Sequence, residues 1–84
     1  SPTSQQLNSI AFANASTAVA VGYNGTIIRS TNGGLTWQNI TSPTSQQLNS
    51  IAFANASTAV AVGYNGTIIR STDGGQNWTN IYHK

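Results

Sequence analysis

The sequence consists of two nearly identical segments that follow one another directly. Residues 1–41 and 42–82 align with an offset of 41 positions, and 36 of the 41 aligned residues are the same. Self-similarity at a fixed period of this length is typical of repeat architectures such as solenoids and propellers. We therefore predict two equivalent structural units, 1–41 and 42–82, followed by a short tail at 83–84. Near-identity of the units indicates either a very recent amplification or an engineered duplication.

Each segment carries the residue alternation of β-strands. In the first segment, a period of two runs through 7–13 and 17–23, and two shorter β-rich runs follow at 26–30 and 36–40. Asn24-Gly25 lies between the second and third runs and favours a tight hairpin, because both residues tolerate positive φ. No run of useful length has the helical period. Each segment is predicted to form a four-stranded antiparallel meander, so the fold class is all-β.

The first two strands of each meander have two faces without charge. We expect Ile10 and Phe12 to share a large-residue face with Val19 and Val21, opposite a small-residue face of alanines and Gly22. Both faces suit burial, since a sheet with one solvated face would alternate apolar with polar residues. Stacked four-stranded sheets at a period of about 40 residues are typical of β-propeller blades. The alternative is a two-sheet sandwich, which would leave the alanine-rich faces in water.

A glycine-containing turn recurs between the third and fourth runs. It reads STNGGLTW at 30–37 and STDGGQNW at 71–78. The pattern resembles the Asp-box, S-x-D-x-G-x-T-W, from which the first copy departs at Asn32 and the second at Asn77. The predicted turn residues are Ser30, Asn32, Gly33, Gly34, Trp37, Ser71, Asp73, Gly74, Gly75 and Trp78.

The wider string VGYNGTIIRSTDGG at 62–75, with Trp78 after it, resembles the repeats of the Ycf48-like photosystem II assembly and stability factors. The resemblance covers most of both segments. It implies a seven-bladed β-propeller in which the Asp-box joins the third and fourth strands of each blade. It also implies a photosynthetic setting in cyanobacteria or plastids, although the chain shows no signal peptide or membrane span from which to predict a location.

A structural role explains the Asp-box without a ligand. An Asp or Asn side chain accepts hydrogen bonds from nearby backbone N–H groups, glycines adopt positive φ without strain, and a Trp covers the turn. The alternative is a calcium ion at Asp73. Calcium requires six to eight oxygen ligands, usually including several carboxylates, whereas Asp73 is the only acidic residue in the chain. No metal site is predicted.

The small number of charged residues excludes several functions. Arg29, Arg70 and Lys84 are the only basic residues, cysteine is absent, and the single histidine is His83. Without paired carboxylates or an activated nucleophile, no catalytic residue, enzyme activity or cofactor is predicted. Without clustered Lys and Arg, nucleic-acid binding is not expected. Arg29 and Arg70 recur in the third strand and are candidates for an anion or partner contact, or for bonds to carbonyls at the blade edge.

Two blades side by side would each leave one apolar face uncovered. Because the copies are nearly identical, the two bare faces should fit one another in a head-to-tail contact between chains. The predicted partner is the chain itself, as a homotetramer with eight blades or, second, a homotrimer with six. The predicted function is a self-assembling β-propeller scaffold. The alternative is a protein- or glycan-binding propeller module, similar to photosystem assembly factors or to lectins.

Overall fold

A computed structural model describes residues 6–82 of the chain, so the predicted tail at 83–84 lies outside the described residues. The chain forms two four-stranded antiparallel sheets that follow one another along the sequence. Sheet 1 contains β1 (Leu7–Phe12), β2 (Ala18–Gly22), β3 (Ile27–Ser30) and β4 (Gln38–Ile40). Sheet 2 contains β5 (Leu48–Phe53), β6 (Ala59–Gly63), β7 (Ile68–Ser71) and β8 (Thr79–Tyr82). In each sheet the strands lie in sequence order, as the predicted meander requires.

The hairpin between the second and third strands has the backbone geometry that its sequence predicts. Asn24 has φ 57° and Gly25 has φ 73°, and the Thr26 N–H donates to the Tyr23 carbonyl at 3.0 Å. The second copy repeats this turn, with Asn65 at φ 60°. Two successive residues at positive φ match the twist of the flanking strands, which explains the use of Asn-Gly at this position.

The two sheets pack face to face and are closest at their first strands. β5 packs against both β1 and β2, whereas β4 and β8 do not pack against each other to a comparable extent. The Asn8 side-chain amide donates to the Leu48 carbonyl at 3.0 Å and joins the two first strands directly. The two sheets are therefore close together at their first strands and diverge toward their fourth strands, like the blades of a fan. We call the side of the first strands the narrow side. This is the arrangement of neighbouring propeller blades.

The core lies between the two sheets. Val19, Val21 and Ile27 of sheet 1 contact residues of sheet 2 that are buried with them. The buried residues of sheet 2 in this cluster are Leu48, Ile51, Ala59, Ala61, Ile69 and Trp78. Because apolar burial between sheets is the main stabilising contribution in such a fold, each sheet depends on its neighbour for a covered face.

The predicted division into a large-residue face and a small-residue face is wrong. Ile10 pairs with Ala20 and Phe12 with Ala18 across the β1–β2 ladder, while Val19 pairs with Ala11. Paired residues in an antiparallel ladder point to the same side of the sheet. Each face therefore combines large and small residues, and the isoleucine and phenylalanine of β1 lie on the face opposite the valines of β2.

Candidate functional site

The segment 71–78, whose sequence resembles an Asp-box and which we call the Asp-box turn of sheet 2, is held by hydrogen bonds that involve side chains. The Ser71 hydroxyl donates to Asp73 Oδ1 at 2.8 Å and accepts from the Gly75 N–H at 2.9 Å. Asp73 Oδ1 also accepts from the Asn77 N–H at 2.9 Å, and Oδ2 accepts from the Asn77 side-chain amide at 2.7 Å. The Trp78 indole Nε1–H donates to the Gly75 carbonyl at 2.9 Å. These bonds use oxygens on both sides of the Asp73 carboxylate.

The turn of sheet 1 has the same geometry. Ser30 Oγ donates to Asn32 Oδ1 at 2.9 Å and accepts from the Gly34 N–H at 2.9 Å. Asn32 Oδ1 accepts from the Thr36 N–H at 3.0 Å, and the Trp37 indole donates to the Gly34 carbonyl at 3.0 Å. In both turns the two glycines have positive φ, between 76° and 97°. The structure thus brings the ten predicted turn residues together as two matching groups.

Two of the five differences between the repeats compensate for each other. In sheet 1 the Asn32 amide Nδ2 donates to the Thr36 hydroxyl at 2.7 Å. In sheet 2 the direction is reversed, because the Asn77 amide donates to the Asp73 carboxylate at the same distance. The pair Asn32 and Thr36 and the pair Asp73 and Asn77 therefore close the same ring of hydrogen bonds with donor and acceptor exchanged.

The Asp73 carboxylate is expected to make the stability of the chain dependent on acid pH. Hydrogen bonds from the Asn77 backbone N–H, and then from its side-chain amide, lower the pKa of Asp73 from 3.8 to about 2. A folded-state pKa below the unfolded one stabilises the fold above the unfolded value, and that stabilisation is lost as the pH falls through the interval from about 4 to about 2. We expect the melting temperature to fall over this interval. Because Asp73 is partly exposed, solvent screening limits the effect.

Asp73→Asn provides the matched comparison, since Asn32 fills the same position in the first turn. The variant should keep the turn at neutral pH, because Asn77 can turn its side-chain amide so that Oδ1 accepts from the introduced amide. It should lose the part of the acid dependence that the Asp73 carboxylate contributes. The chain has no other acidic side chain, so the difference between the two melting profiles isolates this group. Identical profiles in the wild type and the variant would contradict the lowered pKa.

The tip of each Asp-box turn rests on the hairpin between the first two strands of its own sheet. The Gly33 N–H donates to the Ser16 carbonyl at 2.8 Å, and Gly74 makes the same bond to Ser57 at 2.9 Å. The receiving hairpin is shaped by Asn14, whose Oδ1 accepts the N–H groups of Ser16 and Thr17. The alternation in the sequence implies a connection between the runs at 7–13 and 17–23, but it does not indicate that this connection supports the Asp-box turn.

The two recurring arginines have different surroundings. Arg29 is partly buried, and its Nε–H donates to the Gly74 carbonyl in the Asp-box turn of sheet 2 at 3.0 Å. Arg70, at the equivalent position of sheet 2, is exposed. Within residues 6–82, Arg70 has no ion pair or hydrogen bond. The structure therefore places one arginine between the two sheets and the other on an open surface.

Within residues 6–82, each sheet has one face that does not pack against the other sheet. On sheet 1 it contains a depression of about 380 Å³ lined by Leu7, Ile10, Ala20, Ile28 and Trp37 together with the adjoining β1 backbone; we call this the open face of sheet 1. On sheet 2 the corresponding uncovered residues are Val60, Val62, Ile68 and Arg70, which we call the open face of sheet 2. Several of these large apolar side chains, including Leu7, Ile10 and Val62, are exposed.

The exposure of equivalent residues is opposite on the two sheets. Ile51 is 7% exposed at the interface, whereas Ile10 on the open face of sheet 1 is 51% exposed. Val19 is fully buried at the interface, whereas Val60 on the open face of sheet 2 is 36% exposed. The open face of sheet 1 thus repeats the surface that sheet 2 buries, and the open face of sheet 2 repeats the surface that sheet 1 buries.

The comparison with known proteins assigns the chain to a family. The sequence profile described as "Photosynthesis system II assembly factor YCF48" matches residues 1–84. The chain belongs to the Ycf48 family. This agrees with the resemblance found in the sequence. The family is described as an assembly factor. No curated protein sequence matches the chain.

Two solved structures of Ycf48 proteins have the same fold. One, described as "YCF48 bound to D1 peptide", is 28% identical with a TM-score of 0.89 over 99% of this chain. The other, from Cyanidioschyzon merolae, is 26% identical with a TM-score of 0.84 over 100% of this chain. The chain spans only 28% and 29% of the lengths of these two structures. The likeness confirms that the two sheets are propeller blades of the Ycf48 type.

Two further observations concern possible sites. Among residues 6–82, no three His, Cys, Asp or Glu side chains form a group that could hold a metal ion. The same part of the chain contains no helix long and apolar enough to cross a membrane.

Proposed function

We propose that the chain is a non-catalytic structural scaffold, a pair of propeller blades that completes a β-propeller with further copies of itself. In this proposal the blades correspond to the units 1–41 and 42–82, which arose by recent amplification or by design. The observation that supports it is the opposite exposure of equivalent residues on the two sheets. Each open face is made of residue types that the chain already buries against each other in its own interface.

The contact between copies would be head to tail, because one open face differs from the other. Such a heterologous contact either closes into a ring or continues as a fibre. Propellers close at about four to eight blades. Because each chain contributes two blades, only the even numbers in this range can be reached. We favour a tetramer with eight blades over a trimer with six, because Ala59 and Ala61 are fully buried at the interface and allow the sheets to approach closely.

Native mass spectrometry over a dilution series tests this proposal. We expect a discrete oligomer of four chains, or else of three, because exposed apolar faces of this extent are unusual in soluble monomers. A folded monomer of 8.8 kDa at micromolar concentration would contradict the proposal.

A second candidate function is the binding of a protein or glycan. It is supported by a polar depression of about 280 Å³ that is lined by the segment 43–46 and by Asn65, Thr67 and Asn80. The Thr67 hydroxyl is buried there without a hydrogen-bond partner among the described residues. A buried unpaired hydroxyl is unfavourable unless a ligand or water satisfies it. A relative has been solved with a D1 peptide, so a peptide is the first ligand to test.

Titration calorimetry with a D1 peptide and a glycan array would test this alternative. Thr67→Val is the appropriate variant, because it removes the hydroxyl and keeps the shape of the side chain. Binding that is weakened by this change would favour the binding module. Absence of binding in both assays would favour the scaffold.

A further inference from the structure

The bond between Arg29 and Gly74 shows how one blade recognises the next. The donor belongs to β3 of sheet 1, and the acceptor carbonyl belongs to the Asp-box turn of sheet 2. Hydrogen bonds from a charged donor are stronger than neutral ones and are directional. The hydrogen bond from the Arg29 guanidinium to the Gly74 carbonyl therefore fixes the position of one sheet relative to the other along the strand direction.

A glycine, Gly75, allows the two sheets to approach closely at this contact. A Cβ atom built on Gly75 would lie 2.7 Å from Val19 Cγ2 and 3.8 Å from Arg29 Cδ. Real Cβ atoms do not approach other carbon atoms to 2.7 Å, so the turn backbone lies directly against β2 and β3 of sheet 1. Gly75 is required here by its small size as well as by its positive φ of 94°.

On the open faces, the residues equivalent to those of the internal contact have no second sheet against them within residues 6–82. A Cβ built on Gly34 would meet only Trp37 of its own turn, at 3.7 Å. Gly33 is exposed, and so are Val60 and Arg70 at the other end of the chain. None of these four positions differs from its counterpart in the internal contact, since the pairs are Val19 and Val60, Arg29 and Arg70, and the glycines 33–34 and 74–75.

We propose that Arg70 of one copy donates its Nε–H to the Gly33 carbonyl of a second copy, while Val60 of the first packs against Gly34 of the second. The inference rests on the proposed self-assembly and specifies its contact. A second bond, from the Asn49 amide to the Leu7 carbonyl of the next copy, would repeat the internal bond from Asn8 to Leu48. Each copy has one open arginine and one open turn, so the contact selects a head-to-tail partner in a single register.

A double-mutant cycle on Gly34 and Val60 tests the contact. The two residues lie on opposite open faces of one chain, so a coupling between them requires a second copy. Gly34→Ala should raise the dissociation constant of the assembly about tenfold or more, as expected for a methyl group forced into a packed contact. In the Val60→Ala background the same substitution should raise it by less than about threefold, because space for the methyl group is then available. The backbone strain at Gly34 is the same in both backgrounds and cancels.

Arg70→Ala is the second test and does not involve the backbone. It should raise the dissociation constant about tenfold, as expected for a lost hydrogen bond from a charged group. The matched control is Arg29→Ala, which removes the internal bond and should lower the melting temperature of the dissociated chain instead. Both constants are measured by sedimentation and native mass spectrometry over the same dilution series.

The possible outcomes distinguish failure of the proposed contact from failure of the proposed self-assembly. A wild-type chain that remains monomeric would overturn the proposed scaffold function and this contact with it. A wild-type chain that assembles, with no coupling between Gly34 and Val60 and less than about a twofold effect of Arg70→Ala, would overturn only the contact. Coupling together with the Arg70 effect would support both.

Discussion

Replacing Trp78 by alanine is expected to lower the free energy of unfolding by about 3–5 kcal/mol, the range found for other buried large-to-small substitutions. Trp78 is 8% exposed and belongs to the core between the two sheets. The substitution would leave a large cavity there and would also remove the indole bond to the Gly75 carbonyl. Chemical denaturation followed by circular dichroism, at a fixed protein concentration, measures the effect.

Trp37→Ala is the matched control, because its indole makes the same hydrogen bond within its own turn. Trp37 lies on the open face of sheet 1 and is less completely buried. In the dissociated chain its loss should therefore be less destabilising than the loss of Trp78. In the assembly proposed above, the two effects should become equal. An effect of Trp78→Ala below about 1 kcal/mol would contradict its position between the sheets.

Gly63→Ala is expected to destabilise the chain by about 3 kcal/mol, at the upper end of the range for overpacked sites. Gly63 has an extended backbone with φ −162°, so its conformation is open to any residue. The obstacle is space, because an added Cβ would lie 2.0 Å from the Gln47 carbonyl oxygen and 2.9 Å from Leu48 Cα. Both are backbone atoms and cannot move away as a side-chain end could.

Gly33→Ala distinguishes lack of space from backbone strain. Gly33 has φ 76°, but an added Cβ would meet no atom closer than the Ala15 carbonyl oxygen at 3.9 Å. Its substitution should cost only the positive-φ penalty of about 1 kcal/mol. Thermal denaturation of the two variants should rank Gly63→Ala as clearly the more destabilising. The reverse order would contradict the close backbone approach in β5 and β6.

The strands and their hairpin turns could be predicted from the sequence because they depend on local properties. The period of two and the Asn24-Gly25 dipeptide are each contained within a few residues. The assignment of residues to faces could not be predicted in this way. Alternation shows which residues of one strand share a side, but the register between strands depends on the connecting turn, and a shift of one residue reverses every side chain. The turn at 13–17 pairs Phe12 with Ala18 rather than with Val19.

The resemblance of 30–37 to an Asp-box could be recognised in the sequence, because the motif lies within eight consecutive positions. The contact of the second turn with the neighbouring sheet could not be predicted. Arg29 and the Gly74 carbonyl are separated by 45 residues, and no local pattern indicates that they meet. The sequence singled out Arg29 and Arg70 only by their recurrence, and the geometry separates them into an internal contact and an open one.

The fan-like spread of the sheets has a consequence for lateral pairing between strand edges. Within residues 6–82, only the first and fourth strands of each sheet have a free edge, and the first strands of the two sheets lie close to one another. An approaching β-strand would therefore reach β4 and β8, whose free edges span three and four residues. Short edges are one way in which natural sheets limit uncontrolled strand addition. In a chain almost without charged side chains, the short outer strands are therefore the feature expected to limit amyloid-like growth at the periphery.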